Sequence, residues 1–411
     1  MKNLIYLVLL MFLFSCSETI EKVETPELAQ WRGDNRDGNY NETGLLKSWP
    51  ANGPELVWFN DSIGNGYGSP VITSERVYIN GEIDSIGYLF AFNLNGKLLW
   101  KSQYGKEWTE NYVGARSAPT VVGDLIYVCS GMGEIACFEK EQGTKKWSKN
   151  MVTDFHGKNI HFGYSESLLI DDSTLFATPG GKDTNVIALN RFNGELKWIS
   201  KAKSQLSAYC SPLLITLPSR KIVATFSDNE FFGLDAKNGN LLWSQKQDTF
   251  CTIHGNTPIY ENGFIYYFAG CGNGTVKLQL SEDGSSVKEI WKNTDLINYF
   301  SGVVKFKNKI FGASEDKNKW VSIDATTGKL VDSLDFKKGV TICADSMLYL
   351  YNEKGDFGLV NPNGEKMQLV SSFKISKGSK EHFSHPVIKN GILYLRHGKS
   401  LMAYNIKKQT K

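Results

Sequence analysis

The sequence lacks most of the features that usually reveal a function. No apolar stretch reaches the about 20 residues needed to cross a bilayer as a helix. The first candidate, Leu4 to Phe14, is about half that length. Seven cysteines in 411 residues form no Cys-x-x-Cys pair, which removes the usual zinc frameworks. Net charge is only +3 and Lys and Arg form no cluster, so no nucleic-acid partner is expected. No nucleophile-elbow motif supports a Ser-His-Asp hydrolase.

What is present is a repeat. An apolar run, a turn containing Gly and a short strand ending in Trp recur along the chain. The unit appears as AFNLNGKLLW ending at Trp100, FEKEQGTKKW at Trp147, ALNRFNGELKW at Trp198 and GLDAKNGNLLW at Trp243. A looser copy ends at Trp291, and two more keep the turn but not the Trp. The turn glycines Gly96, Gly143, Gly194, Gly239, Gly284, Gly328 and Gly364 are spaced 47, 51, 45, 45, 44 and 36 residues apart. A period near 45 with four short strands per unit predicts a β-propeller. Third strands of the units fall at about 88–94, 133–139, 185–191, 230–236, 274–280, 319–325, 355–361 and 399–406, which gives eight blades. The chain ends too soon to supply an eighth outer strand. Glu55-Leu56-Val57-Trp58 has the same pattern and precedes the first blade. The fold expected is therefore all-β, an eight-bladed propeller closed by an N-terminal strand.

The first residues read as a targeting segment, with Lys2 ahead of the apolar run. Leu13-Phe14-Ser15-Cys16 resembles a bacterial lipoprotein box, with Cys16 as the lipidated first residue of the mature chain. The other reading is an ordinary cleaved signal peptide. The expected division is 1–15 signal peptide, 16–54 lipidated tether and lead-in, and 55–411 propeller. Within the second part, 17–30 reads as a flexible tether. The six other cysteines, Cys129, Cys137, Cys210, Cys251, Cys271 and Cys343, are expected as buried free thiols, with oxidation the alternative in an exported chain.

The repeating units, with Gly-x-x-x-Trp after an apolar strand, resemble those of the pyrroloquinoline-quinone-binding-like propeller family. The likeness extends over about 29–407. Gln30-Trp31-Arg32-Gly33 resembles the lead-in that often precedes this propeller. Segments 114–121 and 178–183 resemble its alcohol-dehydrogenase-like branch. The resemblance implies one of two functions. One is a non-catalytic binding or scaffold lipoprotein of the cell envelope, as in outer-membrane assembly, facing the periplasm or the cell surface. The other is a periplasmic alcohol dehydrogenase of the polyvinyl-alcohol type, using pyrroloquinoline quinone with calcium. Against the second, the sequence has no Cys-Cys pair to stack on a quinone and no Cys-x-x-Cys-His haem site. The implied partners are the membrane, through Cys16, and an envelope protein or small ligand.

Strand starts give candidate ligand-binding residues. Taking the residue three before each strand-opening Pro, or its equivalent, yields Tyr67, Arg116, Tyr164, Tyr209, Gly255, Tyr299 and Phe383. In a propeller these positions gather around one mouth of the channel. His156, His161, His254, His382 and His385 lie in the same connections, and His254 joins the candidate set. The functional reading is an aromatic funnel in which flat rings or sugars stack and Arg116 takes a carboxylate. The other reading has these rings wedged between blades. A metal site from His161, His254 and His382 is a minor alternative, since loop histidines alone fix no geometry.

Overall fold

The computed structural model describes residues 26–203, 205–247 and 252–408. It contains no helix among the described residues and eight sheets, antiparallel except where one lead-in strand joins in parallel. Cys16 and the targeting segment lie outside the described residues. Blades 1 to 7 span 71–106, 120–150, 169–200, 213–246, 259–293, 304–334 and 339–374, each with strands A to D in sequence order. Pro70, Pro119, Pro212, Pro258 and Pro386 each sit one residue before an A strand. There the missing N–H breaks no ladder bond. The inner strands are runs of buried Val, Ile, Leu, Phe and Ala, whereas the D strands alternate toward solvent.

The Trp repeat joins neighbouring blades. Trp58, Trp100, Trp147, Trp198 and Trp291 each lie on the turn glycine of the next blade, at Gly96, Gly143, Gly194, Gly239 and Gly328. These glycines have φ between +71° and +80°, and a Cβ at Gly143 would come within 2.4 Å of Trp100. Conformation and close approach both require glycine there. Four of the indoles also donate across the seam: Trp58 to Leu94 O at 2.9 Å, Trp147 to Arg191 O at 2.9 Å, Trp198 to Ala236 O at 3.2 Å and Trp291 to Ala325 O at 3.3 Å. Trp243 departs from the pattern. It packs on Gly233 of its own blade, and the next turn glycine, Gly284, faces Ile222 and Leu217 instead.

Blade 8 takes its A to C strands from Val387–Lys389, Ile392–His397 and Ser400–Asn405. Its D strand comes from the N-terminal side. We number the lead-in strands β1 (Leu28–Ala29), β2 (Asn39–Tyr40) and β3 (Glu55–Asn60). β3 pairs antiparallel with Ser400–Asn405, from Glu55 opposite Asn405 to Asn60 opposite Leu401. At this seam the fully buried Arg396 donates to Gly64 O, Gly68 O and Asn80 O, tying blade 8 to the start of blade 1.

The lead-in is not a tether. The flexible tether expected over 17–30 is corrected at its described end, because residues 28–40 fold into the central channel as a plug. β1 pairs with the A strand of blade 2, and β2 runs parallel to the A strand of blade 7. Both arms meet the face of the A–B turns: Glu27 O accepts from Gly123 N–H, and the Glu42 carboxylate accepts from Asn390 and Gly391 N–H. The tip between the arms points up the channel. There Trp31 donates to Thr257 Oγ1 at 3.0 Å, in the connection leading to blade 5. Arg32 reaches Val303 O, Thr341 O and His385 Nδ1, from blades 6, 7 and 8. Arg36 reaches Ser167 O and Leu168 O beside blade 3. Both guanidiniums are buried, and burial pulls each down to about 10, so both remain charged at neutral pH. Carbonyl oxygens replace the water they lose.

Cys129, Cys137, Cys210 and Cys343 are buried free thiols. Cys271 is disulfide-bonded, which corrects the expectation for that residue. Cys251 lies outside the described residues.

Candidate functional site

Above the plug, seven of the eight connections from a D strand to the next A strand enclose a cavity of about 310 Å³, the connection into blade 7 contributing no lining residue. Its base is Trp31, whose ring lies 4.5 Å from that of His385. Its wall is a belt of rings in mutual contact. Tyr209 meets Phe162 at 5.9 Å, Phe162 meets Tyr112 at 6.0 Å, Tyr112 meets Phe383 at 5.7 Å, and Phe383 meets Phe300 at 5.2 Å. Tyr67 packs against the belt, 5.7 Å from Phe383 and 6.4 Å from Tyr112, and its hydroxyl donates to Glu381 at 2.6 Å. Tilted and edge-on pairs of this kind are the favoured aromatic geometry.

The structure brings together Tyr67, Arg116, Tyr209, Gly255, Tyr299 and Phe383 from the sequence-derived set. Two members lie elsewhere. Tyr164 is 1% exposed, packs between blades 2 and 3, and donates to Pro179 O at 2.6 Å. His254 is buried against Phe226 at 5.0 Å; its Nδ1 accepts from Gly270 N–H and its Nε2 faces Asp228 O. Burial lowers its pKa to about 4, so it is a neutral core residue. The cause of the Tyr164 misplacement is register. Where Pro marks the strand start, the cavity residue lies four positions before the A strand. Blades 3 and 6 have no such Pro, and their A strands begin at Leu169 and Val304. The matching residues are therefore Ser165 and Phe300, and both line the cavity. In blade 3 the slip of one residue turns Tyr164 away from the cavity, whereas in blade 6 Tyr299 and Phe300 both line it.

Lining residues outside the sequence-derived set are Trp31, Tyr112, Phe162, Ser165, Ser211, Ile253, Phe300 and His385, the last noted from sequence only as a histidine in these connections. For Phe300 the corrected count would have sufficed. For Trp31 the lead-in motif was visible, but nothing local says that it enters the channel. His161, His254 and His382 are not assembled. His161 sits at the exposed rim near Asn111, and His382 stacks on His397 at 3.8 Å. No group of three or more His, Cys, Asp or Glu that could hold a metal occurs among the described residues.

The ionisable groups at the cavity are already engaged. Arg116 directs four of its five N–H groups to the carbonyls of Asn111, Tyr112, Gly114 and Phe162. It therefore shapes the rim rather than presenting a fork to a carboxylate. Burial draws its pKa to about 10, and it stays charged. His385 accepts from Arg32 at Nδ1, which leaves Nε2 to donate to Phe300 O at 3.0 Å. Burial and the Arg32 charge hold it well below the usual imidazole range, so it is fixed as a neutral tautomer with no free nitrogen for proton transfer.

Residues 85–333 match the family described as outer membrane protein assembly factor BamB. That span is more than half of the chain. The chain belongs to this family. It is 20% identical over 303 residues to the outer membrane protein assembly factor BamB of Shewanella oneidensis, covering 69% of this chain and 68% of that one. Among solved structures it is similar to BamB from Moraxella catarrhalis, with a TM-score of 0.62 and 11% identity over 86% of this chain and 99% of the other. It is equally similar to a europium-containing methanol dehydrogenase, with a TM-score of 0.62 and 11% identity over 90% of each. At such identity these two likenesses show the shared eight-bladed fold and nothing of the chemistry.

Pyrroloquinoline quinone does not fit the residues present. A planar quinone bearing several carboxylates needs cationic or N–H donors around its rim. The cavity offers one guanidinium with a single uncommitted N–H, and no carboxylate lines it to hold a calcium ion.

Proposed function

We propose that the chain is a non-catalytic binding propeller of the bacterial cell envelope, lipidated at Cys16, that engages a partner protein or ligand at the aromatic cavity. The observation that carries this reading is the cavity itself: apolar, open at one end, closed below, with its acid–base groups engaged in structural bonds. Membership of a family described by outer-membrane assembly supports an envelope partner. The disulfide at Cys271 supports an oxidising compartment.

The plug also supports an orientation. The chain enters at Glu27 on the face opposite the cavity. Ten peptide units from Cys16 to Pro26 span at most about 36 Å. A lipid at Cys16 would hold the A–B turn face toward the membrane and turn the cavity away from it.

The test is photo-crosslinking in the envelope, with a benzophenone side chain at Tyr112 on the rim and, as control, at Lys237 on the opposite face. An envelope protein should be captured from Tyr112 and not from Lys237, and Cys16→Ser should release the protein from membranes and abolish the adduct. Equal labelling from both positions, or none from Tyr112, would refute the mouth as the binding face. A membrane-bound Cys16→Ser protein would refute the anchor.

A further inference from the structure

The cavity's lining also restricts what it can hold. Arg116, with four of its five N–H groups, and His385, with both ring nitrogens, are bound to the protein. The Ser165 hydroxyl donates to Tyr209 O, and Tyr67 donates to Glu381. No Asp, Glu, Asn or Gln lines the space. A sugar stacking on these rings would find only tyrosine and serine hydroxyls for its many hydroxyls, and each one buried unpaired costs about 1–3 kcal/mol. An organic cation would find aromatic faces, but the nearest formal charge in the lining is the positive guanidinium. A carboxylate would find that guanidinium already bonded to four carbonyls. What remains favourable is an uncharged ring set edge-to-face among Tyr112, Phe162, Phe300 and Phe383.

The plug adds a second restriction. With Trp31 as base the space is blind, so an occupant enters end-on and nothing threads through. Small-molecule sites ordinarily use a few precisely placed charged or amide groups to fix orientation, and here the charged groups are committed and no amide side chain lines the space. A ring carried on a backbone is oriented by the chain that presents it. We infer that the cavity is a socket for a single uncharged aromatic side chain, Trp, Tyr or Phe, presented by an extended or turning segment of a partner polypeptide. This rests on the cavity being the binding site.

Ile253 is an aliphatic residue in the wall, and its methyl resonance reports a docked ring through the ring current. The mature protein, labelled at Ile methyls, is titrated with Ac-Gly-Trp-Gly-amide, Ac-Gly-Leu-Gly-amide, free indole, tetramethylammonium, benzoate and maltose. The expected result is a saturable shift of Ile253 with the Trp peptide at millimolar concentration. The Leu peptide should be weaker by roughly 2- to 12-fold, the range for an aromatic pair. Phe383→Ala should weaken the Trp peptide by a similar factor. Tyr112→Ala should do the same, and because Tyr112 is 46% exposed its removal leaves the core intact. Tightest binding by maltose, tetramethylammonium or benzoate, or equal binding of the Leu peptide, would overturn the aromatic assignment while leaving the cavity a binding site. Free indole as tight as the Trp peptide would overturn the requirement for a polypeptide. No response to any probe would overturn the inference and the cavity-binding reading together.

Discussion

Glu107 illustrates how single residues are tuned in the ring around the mouth. Its carboxylate accepts from Tyr104 hydroxyl at 2.7 Å, Trp108 N–H at 2.8 Å and Gly131 N–H at 2.6 Å, all inside the protein. Burial raises its pKa from 4.5 to about 7, against those three donors and Arg116, which favour the charged form. Glu166, held by Thr178, is raised to about 7 for the same reason. The sign follows from linkage. Between pH 4.5 and 7 the unfolded chain has released these protons while the folded chain retains them, so stability falls as pH rises through that window and levels off above it. Each carboxyl contributes roughly 3 kcal/mol to that fall. Glu107→Gln keeps both N–H bonds at its oxygen and lets its amide donate to Tyr104. Denaturant titrations at pH 5 and 7.5 should show a smaller loss of stability with pH for Glu107→Gln than for wild type. An unchanged difference would mean that Glu107 is ionised in the fold throughout.

At the scale of elements, the strands repeat with the sequence and the plug does not. All eight C strands were readable because each is a local apolar run, followed in the first seven blades by a turn glycine, as at Gly96 or Gly239. The borrowed D strand was readable too, since Trp58 carries the same local pattern. The plug was not. Its contacts join Arg36 to Leu168 and Arg32 to His385, 132 and 353 residues apart, and no periodicity encodes such pairs. The cavity fell between these cases. Pro fixed the register in five blades, and its absence in blades 3 and 6 put Tyr164 in the set where Ser165 belongs. The plug's importance is measurable. Arg32→Ala would leave Val303 O, Thr341 O and His385 Nδ1 without that donor. At about 1–3 kcal/mol for each buried group left unpaired, the loss should be at least about 3 kcal/mol by chemical denaturation. A variant within 1 kcal/mol of wild type would show that the plug is held by its strand pairing alone.

For the whole molecule, the ring closes only when its two ends meet. β3 pairs with Ser400–Asn405, Lys408 N–H donates to Gly44 O, and Arg396 locks the same seam. A chain ending at Lys399 keeps all four strands of blades 1 to 7, yet it loses the partner of β3 and the C strand of blade 8. Limited proteolysis should find no resistant core in it, whereas full-length protein resists. A stable seven-blade fragment would contradict closure by shared strands.

The same geometry has a consequence in time. A ribosome releases the plug and β3 early and the strand that receives β3 late, so for most of synthesis residues 28–60 have no place to go. The central channel that takes the plug, like the edge that takes β3, exists only once blade 8 has emerged. Assembly therefore waits on Ser400–Asn405, and a message cut short of that strand yields a chain whose plug and β3 have nothing to fold into.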